Sequence, residues 1–343
     1  MRMSLLQFTE KGIYCAAGDF FIDPWRPVER AVITHAHADH ARMGNQHYLC
    51  THSSVPLLRL RLGADISVQG VNYEEVVRYN GVQLSLHPAG HIIGSAQVRV
   101  EYQGEVWVVS GDYKLENDGL SPQFEPVACH TFITESTFGL PIYRWLPQEE
   151  LFGNMRQWIA ENRQADKSSV LIGYSLGKAQ RLLYHLRDVT DRFLVHGAIA
   201  VPHAVLLAEG WPLPPVERIT PETPKSAFKG SVIIAPPSAV GSTWMRKLQP
   251  YSLGICSGWM QVRGNMRRSN ADAGFALSDH ADWPGLLEAV KATGASRVLT
   301  THGFSSAFAR HLQELGIEAG EVKTEFGQEE EEAITTPEDQ TTT

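Results

Sequence analysis

The sequence predicts a layered fold of the α/β or α+β class. Short apolar runs of strand length alternate with longer segments of helical period, the pattern of sheets covered by helices. Prolines stand where helices would open, at Pro147, Pro202 and Pro284. The length of 343 residues allows one large domain or two of ordinary size, with enough chain to bury a core.

In chain order, Ala31–Thr34 is an apolar, β-branched run and reads as a strand. Val55–Leu62 follows with helical spacing. Val82–Leu86, Val98–Tyr102 and Val106–Ser110 read as three strands, and Phe132–Thr134 as a fourth. Gln148–Asn162 is a long helix behind Pro147. Ser169–Ile172 is a strand and Lys178–Arg187 a helix. His203–Glu209 reads as a helix opened by Pro202. Gly210–Lys229 is Pro-rich and reads as an irregular connection. Ser231–Ala235 and Gly274–Leu277 are strands, Trp283–Thr293 a helix around Pro284, Val298–Thr301 a strand and Ser306–Leu315 a helix. No internal repeat is visible.

Charge and cysteine usage narrow the function classes. The net charge is −8, but residues 328–343 hold six acidic residues and no basic one, which leaves −2 for the rest. That polar, Thr-rich stretch is expected to be a disordered acidic tail. A strongly basic nucleic-acid binder is not indicated by the totals. Cys15, Cys50, Cys129 and Cys256 form no CxxC pair, which excludes a cysteine-rich zinc finger and a disulfide scaffold. No apolar run is long enough to span a membrane, and charge interrupts the N-terminus before a signal-peptide core develops, so a cytoplasmic protein is expected.

Fourteen histidines stand against those four cysteines, and the densest group is Thr34-His35-Ala36-His37-Ala38-Asp39-His40. In an extended turn, residues two apart share a side, so His35 and His37 can hold one cation. Asp39 and His40 can reach a second beside it. Imidazole with carboxylate suits zinc, and also manganese or iron. Further candidates follow apolar strands: His91, Asp112, Glu135, His280 and His302. Polar groups at the ends of several strands converge on one rim of a sheet, where α/β folds place their sites.

The His35/His37/Asp39/His40 run, with His91 and Asp112, resembles the metallo-β-lactamase fold in its phosphodiesterase branch. Asp23 resembles that fold's early supporting aspartate. Glu135 in Glu-Ser-Thr-Phe-Gly, His280 in Ser-Asp-His-Ala-Asp and His302 in Thr-His-Gly resemble the added motifs of the β-CASP nucleases. The longer strings from Asp23 to Arg42 and from Leu277 to Leu286 are similar to the bacterial ligase-associated DNA exonuclease family. The likeness runs over roughly residues 5–326.

The resemblance implies an αββα sandwich built from residues 1–145 and 259–326, with a short β-CASP cap over 146–258 and the acidic tail at 327–343. It implies that His35, His37 and His91 hold one divalent metal ion, and Asp39, His40 and His302 another, with Asp112 bridging. Zinc is the expected metal, with manganese as the alternative. Two such cations activate a shared water against phosphorus. His280 is then the general acid, oriented by Glu135. Arg42, Lys178, Arg181, Arg263, Arg267 and Arg268 are the candidate phosphate contacts. The implied activity is DNA exonuclease action, 5′→3′ on single strands, in repair with an ATP-dependent DNA ligase.

Three rival readings arise. Gly173-Tyr174-Ser175-Leu176-Gly177 matches the G-x-S-x-G elbow of serine hydrolases, with Asp279 and His302 in triad order. That reading leaves the 34–40 motif idle. An RNA-processing nuclease keeps the same site and changes the substrate. A metal-binding, non-catalytic partner of a repair complex is the third.

Overall fold

The computed structural model describes residues 4–325. The expected tail at 327–343 lies outside them. The chain forms a mixed α/β structure with three sheets, divided into two compact units. The first comprises residues up to Tyr143 and from Asp279 onward; the second is Arg144–Ser278.

The first unit holds two sheets. One has six strands, in the order Gln7–Thr9, Gly12–Cys15, Phe20–Ile22, Arg30–Val32, His47–Thr51, Val68–Val71. The other has seven, in the order Glu318–Glu321, Arg297–Thr301, Thr131–Glu135, Glu105–Val109, Ala96–Tyr102, Val82–Pro88, Val77–Tyr79. The strand alternation explains how they pack. Trp107, Val109, Ile133 and Leu299 point one way and share a core with Ile13, Phe20, Ile22, Val32 and Leu49 of the six-stranded sheet. Val108, Phe132 and Val298 point the other way. There they meet Leu286, Ala289 and Val290 of helix Trp283–Thr293, and Phe308 and Leu312 of helix Ser305–Glu314. Each fully buried side chain of this size contributes about 1.5–3 kcal/mol.

The joining of distant chain segments is a matter of strand register. Thr131–Glu135 pairs in parallel with Arg297–Thr301, Glu135 opposite Thr301. This ladder brings residues after 279 back beside residues before 143.

The second unit has its own parallel six-stranded sheet, ordered Val216–Arg218, Phe193–Val195, Val232–Ala235, Ser168–Ile172, Tyr251–Cys256, Ala273–Phe275. A parallel sheet is buried on both faces. Leu171, Val195 and Ile234 pack with Phe152, Met155, Leu182 and Ile199. Val170, Ile172, Ile233 and Ile255 pack on the opposite side with Phe228, Met245 and Leu248.

The second unit runs from Arg144 to Ser278, past the 146–258 expected for a cap, because Ala273–Phe275 pairs with Gly254–Cys256 at the edge of its sheet. One expectation is corrected here. The helix expected to open at Pro202 opens at Gly197, with His196 accepting from the Ala198 N–H as its cap; Pro202 is buried inside it.

Formal charge divides unevenly. The described part of the first unit holds 13 Lys and Arg against 22 Asp and Glu, or −9; the second holds 16 against 10, or +6.

Candidate metal centre

All the histidines and acids singled out from the sequence lie in the first unit, and the strands explain why. Arg30–Val32, Val82–Pro88, Glu105–Val109, Thr131–Glu135 and Arg297–Thr301 deliver His35, His91, Asp112, Glu135 and His302 at or just past their carboxyl ends. His280 arrives differently. It was expected at the end of a strand of the same set, but Ala273–Phe275 belongs to the second unit's sheet. The segment after Asp279 is instead held by backbone: Ala281 donates its N–H to the Tyr113 carbonyl at 2.6 Å.

Two groups of ligand-type atoms result, His35/His37/His91/Asp112 and Asp39/His40/His302, each with its atoms within 4.8 Å of one another. Asp112 Oδ2 lies between them, 3.5 Å from His35 Nε2, 3.6 Å from His40 Nε2 and 3.9 Å from His91 Nε2. The His37 and His91 ring nitrogens face each other at 3.2 Å. His40 and His302 stack at 5.3 Å.

Around these groups runs a layer of fixed partners. Asp23 accepts from the Thr34 N–H at 2.8 Å through Oδ1, and from His40 Nδ1 at 2.7 Å through Oδ2. His91 Nδ1 donates to the Asp279 carbonyl at 2.9 Å. Such bonds turn the other ring nitrogen toward a common centre. Asp23 and His302 are held at φ 42° and 57°, a strained region for non-glycine residues that clusters at functional sites. Gly111, beside Asp112, has φ 57°, and a Cβ there would meet Thr34 Cβ at 2.7 Å. Gly303 has φ 56° and lies against Thr137, where a Cβ would come within 2.5 Å of the Thr137 Cα.

A third group, Asp112/Glu135/His280, adjoins the first two. Buried Glu135 accepts from His280 Nδ1 at 2.9 Å, from the Tyr113 N–H at 2.7 Å and from the Thr137 hydroxyl at 2.5 Å. The His280 ring lies 4.7 Å from that of His91.

The residues fit divalent cations on their own chemistry. His35 Nε2 and one oxygen each of Asp39 and Asp112 are buried without a hydrogen-bond partner among the described residues. Buried polar atoms are otherwise almost always satisfied. Burial, reinforced by neighbouring imidazoles, pulls His35 and His91 well below the usual histidine range. Burial and His40 pull His302 down to about 3. Neutral imidazole is the ligating form. Burial pushes Asp112 up to about 7 against the pull of His40. For His40, burial is outweighed by Asp39, Asp112 and Asp23, which raise it to about 10. Glu135 falls below the usual carboxylate range: burial opposes this, but His280, Thr137 and the Tyr113 N–H prevail.

Three of the expected phosphate contacts are engaged within their own units. Arg42 donates to the carbonyls of Asp39, Trp25 and Glu325, at 3.2, 3.3 and 2.6 Å, and so ties down the loop after the first motif. Lys178 and Arg181 are buried; Arg181 donates to the Ser278 carbonyl and to Gln148, and the Lys178 ammonium lies over the Tyr174 ring. Arg263, Arg267 and Arg268 are exposed on the short helix Arg263–Arg268. Ser175 belongs to the second unit, while Asp279 and His302 belong to the first, His302 grouped with Asp39 and His40.

Sequence reasoning missed Thr34, Thr137, Thr301, the Tyr113 N–H and the Asp279 carbonyl. The two carbonyl and amide groups leave no side-chain signal. Two of the threonines leave one: Thr precedes His in both Thr34-His35 and Thr301-His302, whereas Thr137 is followed by Phe138.

No protein-family model matches the chain. A protein of Opitutus terrae named "Probable DNA ligase" is 33% identical over 313 residues, 90% of this chain but 30% of the relative. "Cleavage and polyadenylation specificity factor subunit 3" of Dictyostelium discoideum is 27% identical over 124 residues, 35% of this chain and 16% of its own length. The chain thus spans less than a third of either relative. Among solved structures, a protein of unknown function from Enterococcus faecalis superimposes with a TM-score of 0.60 at 13% identity, over 87% of this chain and 80% of its own, a likeness of fold alone.

Proposed function

We propose that the chain is a metal-dependent hydrolase of nucleic-acid phosphodiester bonds, a DNA exonuclease that degrades single strands 5′→3′ in concert with an ATP-dependent DNA ligase. The observation that carries the hydrolase reading is Asp112 Oδ2 between two His/Asp groups, with the Glu135–His280 pair beside them. The resemblance of the whole site to metallo-β-lactamase and β-CASP nucleases supports it. The ligase-named relative, matched over 90% of this chain, supports DNA as substrate.

His35, His37 and His91 would hold one divalent ion and Asp39, His40 and His302 the other, with Asp112 shared. When bound, such a pair, zinc or manganese, lowers the pKa of water and neutralises charge on the phosphate oxygens. The chain's own groups do the rest. Asp23 fixes the His40 ring, and the Asp279 carbonyl fixes that of His91. Glu135 holds the Nδ1 proton of His280. This leaves Nε2 to deliver a proton to the leaving oxygen, the general-acid role.

A second reading, RNA as substrate, is favoured by the similarity to the polyadenylation-factor subunit and by the presence of His302. The test is a digest of 5′- and 3′-labelled single-stranded DNA and RNA by protein stripped with chelator and reloaded with zinc or manganese. Release of the 5′ label from DNA first, only after reloading, is expected. Faster cleavage of RNA selects the second reading. Absence of metal-dependent cleavage of either polymer ends the hydrolase proposal.

A further inference from the structure

We infer that Thr34 and Thr301 are positioning residues that set the tautomer of the histidine following each, one in each of the two groups of metal ligands. The inference rests on the ligand assignment proposed above.

A threonine hydroxyl has one proton to give. Thr34 Oγ1 gives it to Asp23 Oδ2, 2.5 Å away in a buried, charge-assisted bond. The same oxygen stands 3.0 Å from His35 Nδ1. With its proton committed, it can only accept there, so His35 carries its hydrogen on Nδ1. Nε2 then keeps its lone pair, and this is the atom buried without a hydrogen-bond partner and directed at Asp112. Asp23 imposes the same tautomer on His40, whose Nδ1 donates to Oδ2 of the same carboxylate. One carboxylate with its threonine therefore serves a ligand in each group.

Thr301 repeats the device. Its hydroxyl donates to the Thr134 carbonyl at 3.2 Å, and the oxygen lies 2.9 Å from His302 Nδ1. The acceptor here is a strand carbonyl, in the ladder that joins Thr131–Glu135 to Arg297–Thr301. His302 is thereby tied to the register of that ladder, and the φ of 57° at His302 turns the chain immediately after the strand. Both threonines are almost completely buried, so water does not replace the lost acceptor if the hydroxyl is removed. A Cβ at Gly111 would come within 2.9 Å of the Thr34 hydroxyl oxygen, so the glycine leaves that hydroxyl its room.

Thr→Val keeps the shape and removes the hydroxyl; Thr→Ser keeps the hydroxyl. Long-range 1H–15N spectra of the histidine-labelled, metal-free chain report which ring nitrogen carries the hydrogen. Titration of the same proteins with zinc, with bound metal counted by elemental analysis, reports affinity for each ion. Thr34→Val is expected to release His35 from the Nδ1–H form and to weaken one of two binding steps about 10–100-fold. Thr301→Val is expected to do the same to His302 and to the other step, the double variant to weaken both, and each serine variant to behave as wild type. Val variants with unchanged spectra and unchanged zinc affinities overturn the inference. If the wild-type chain takes up no metal, the proposed function fails, and the tautomer spectra alone still decide the role of the threonines.

Discussion

His280 stands outside the two larger His/Asp groups, in a third with Asp112 and Glu135. Its Nδ1 is clasped by a buried carboxylate that also accepts a backbone N–H and a hydroxyl, so its ring is fixed without any cation. Replacing it with alanine is expected to leave two ions per chain and to lower the cleavage rate by about 10²–10⁴-fold, the range for loss of a general acid. Elemental analysis beside single-turnover rates checks this; loss of an ion would make His280 a ligand instead. At this scale much was legible in the sequence. The seven ligand candidates share a chemistry that suits a cation, and the structure brings them together in two groups that could hold a metal ion, with Asp23 beside His40. What the sequence does not reveal is that Arg42 and Arg181 also have partners inside the fold, because a positive charge in a sequence does not show whether carbonyls surround it. Arg42 meets three of them.

Elements were legible in proportion to their length and punctuation. Val55–Leu62 and Trp283–Thr293 have the ends the sequence predicts, and the latter carries an Asp282 cap that accepts from the Gly285 N–H and a left-handed Gly294 at its close. Gln7–Thr9, Gly12–Cys15 and Phe20–Ile22 were not anticipated, because three or four residues are too few to show alternation. Helix Gly197–Ala208 was entered at the wrong residue, since a proline at the first turn and one buried further in look alike in sequence. This helix also has a consequence for stability. His203 is fully buried in it, donates Nε2–H to the Pro214 carbonyl at 2.8 Å, and leaves Nδ1 without a hydrogen-bond partner among the described residues. Burial lowers its pKa from the usual value, with the Pro214 bond opposing. The folded form therefore resists a proton that the unfolded chain takes up below about pH 6.5. Stability should be at its full value above that pH and decline below it, by at most about 1.4 kcal/mol per pH unit for this group. Urea midpoints at pH 7.5 and 5.5 should show a smaller drop for His203→Gln than for wild type.

At the scale of the molecule, the net charge conceals a division. The unit with the candidate metal centre is formally −9 and the other +6, so the net positive charge that would attract a polyanion lies in residues 144–278. Arg263, Arg267 and Arg268 are exposed there on one short helix. If they contact phosphates, each Arg→Gln change should reduce the slope of log affinity against log salt by about 0.7 on single strands. Fluorescence anisotropy across a salt series measures it, and an unchanged slope removes these residues from the interface. The division of the chain also has a consequence in time. Glu135 and its ladder partner Thr301 are 166 positions apart (301 − 135), a length that a ribosome adding about 5–20 residues per second takes roughly 10–30 s to supply. Through that interval the seven-stranded sheet lacks two strands, Arg297–Thr301 and Glu318–Glu321, and every strand of the second unit is made within it. The nascent first unit thus waits with an open sheet edge at Thr131–Glu135, and the Asp39/His40/His302 group cannot form until synthesis has passed residue 302.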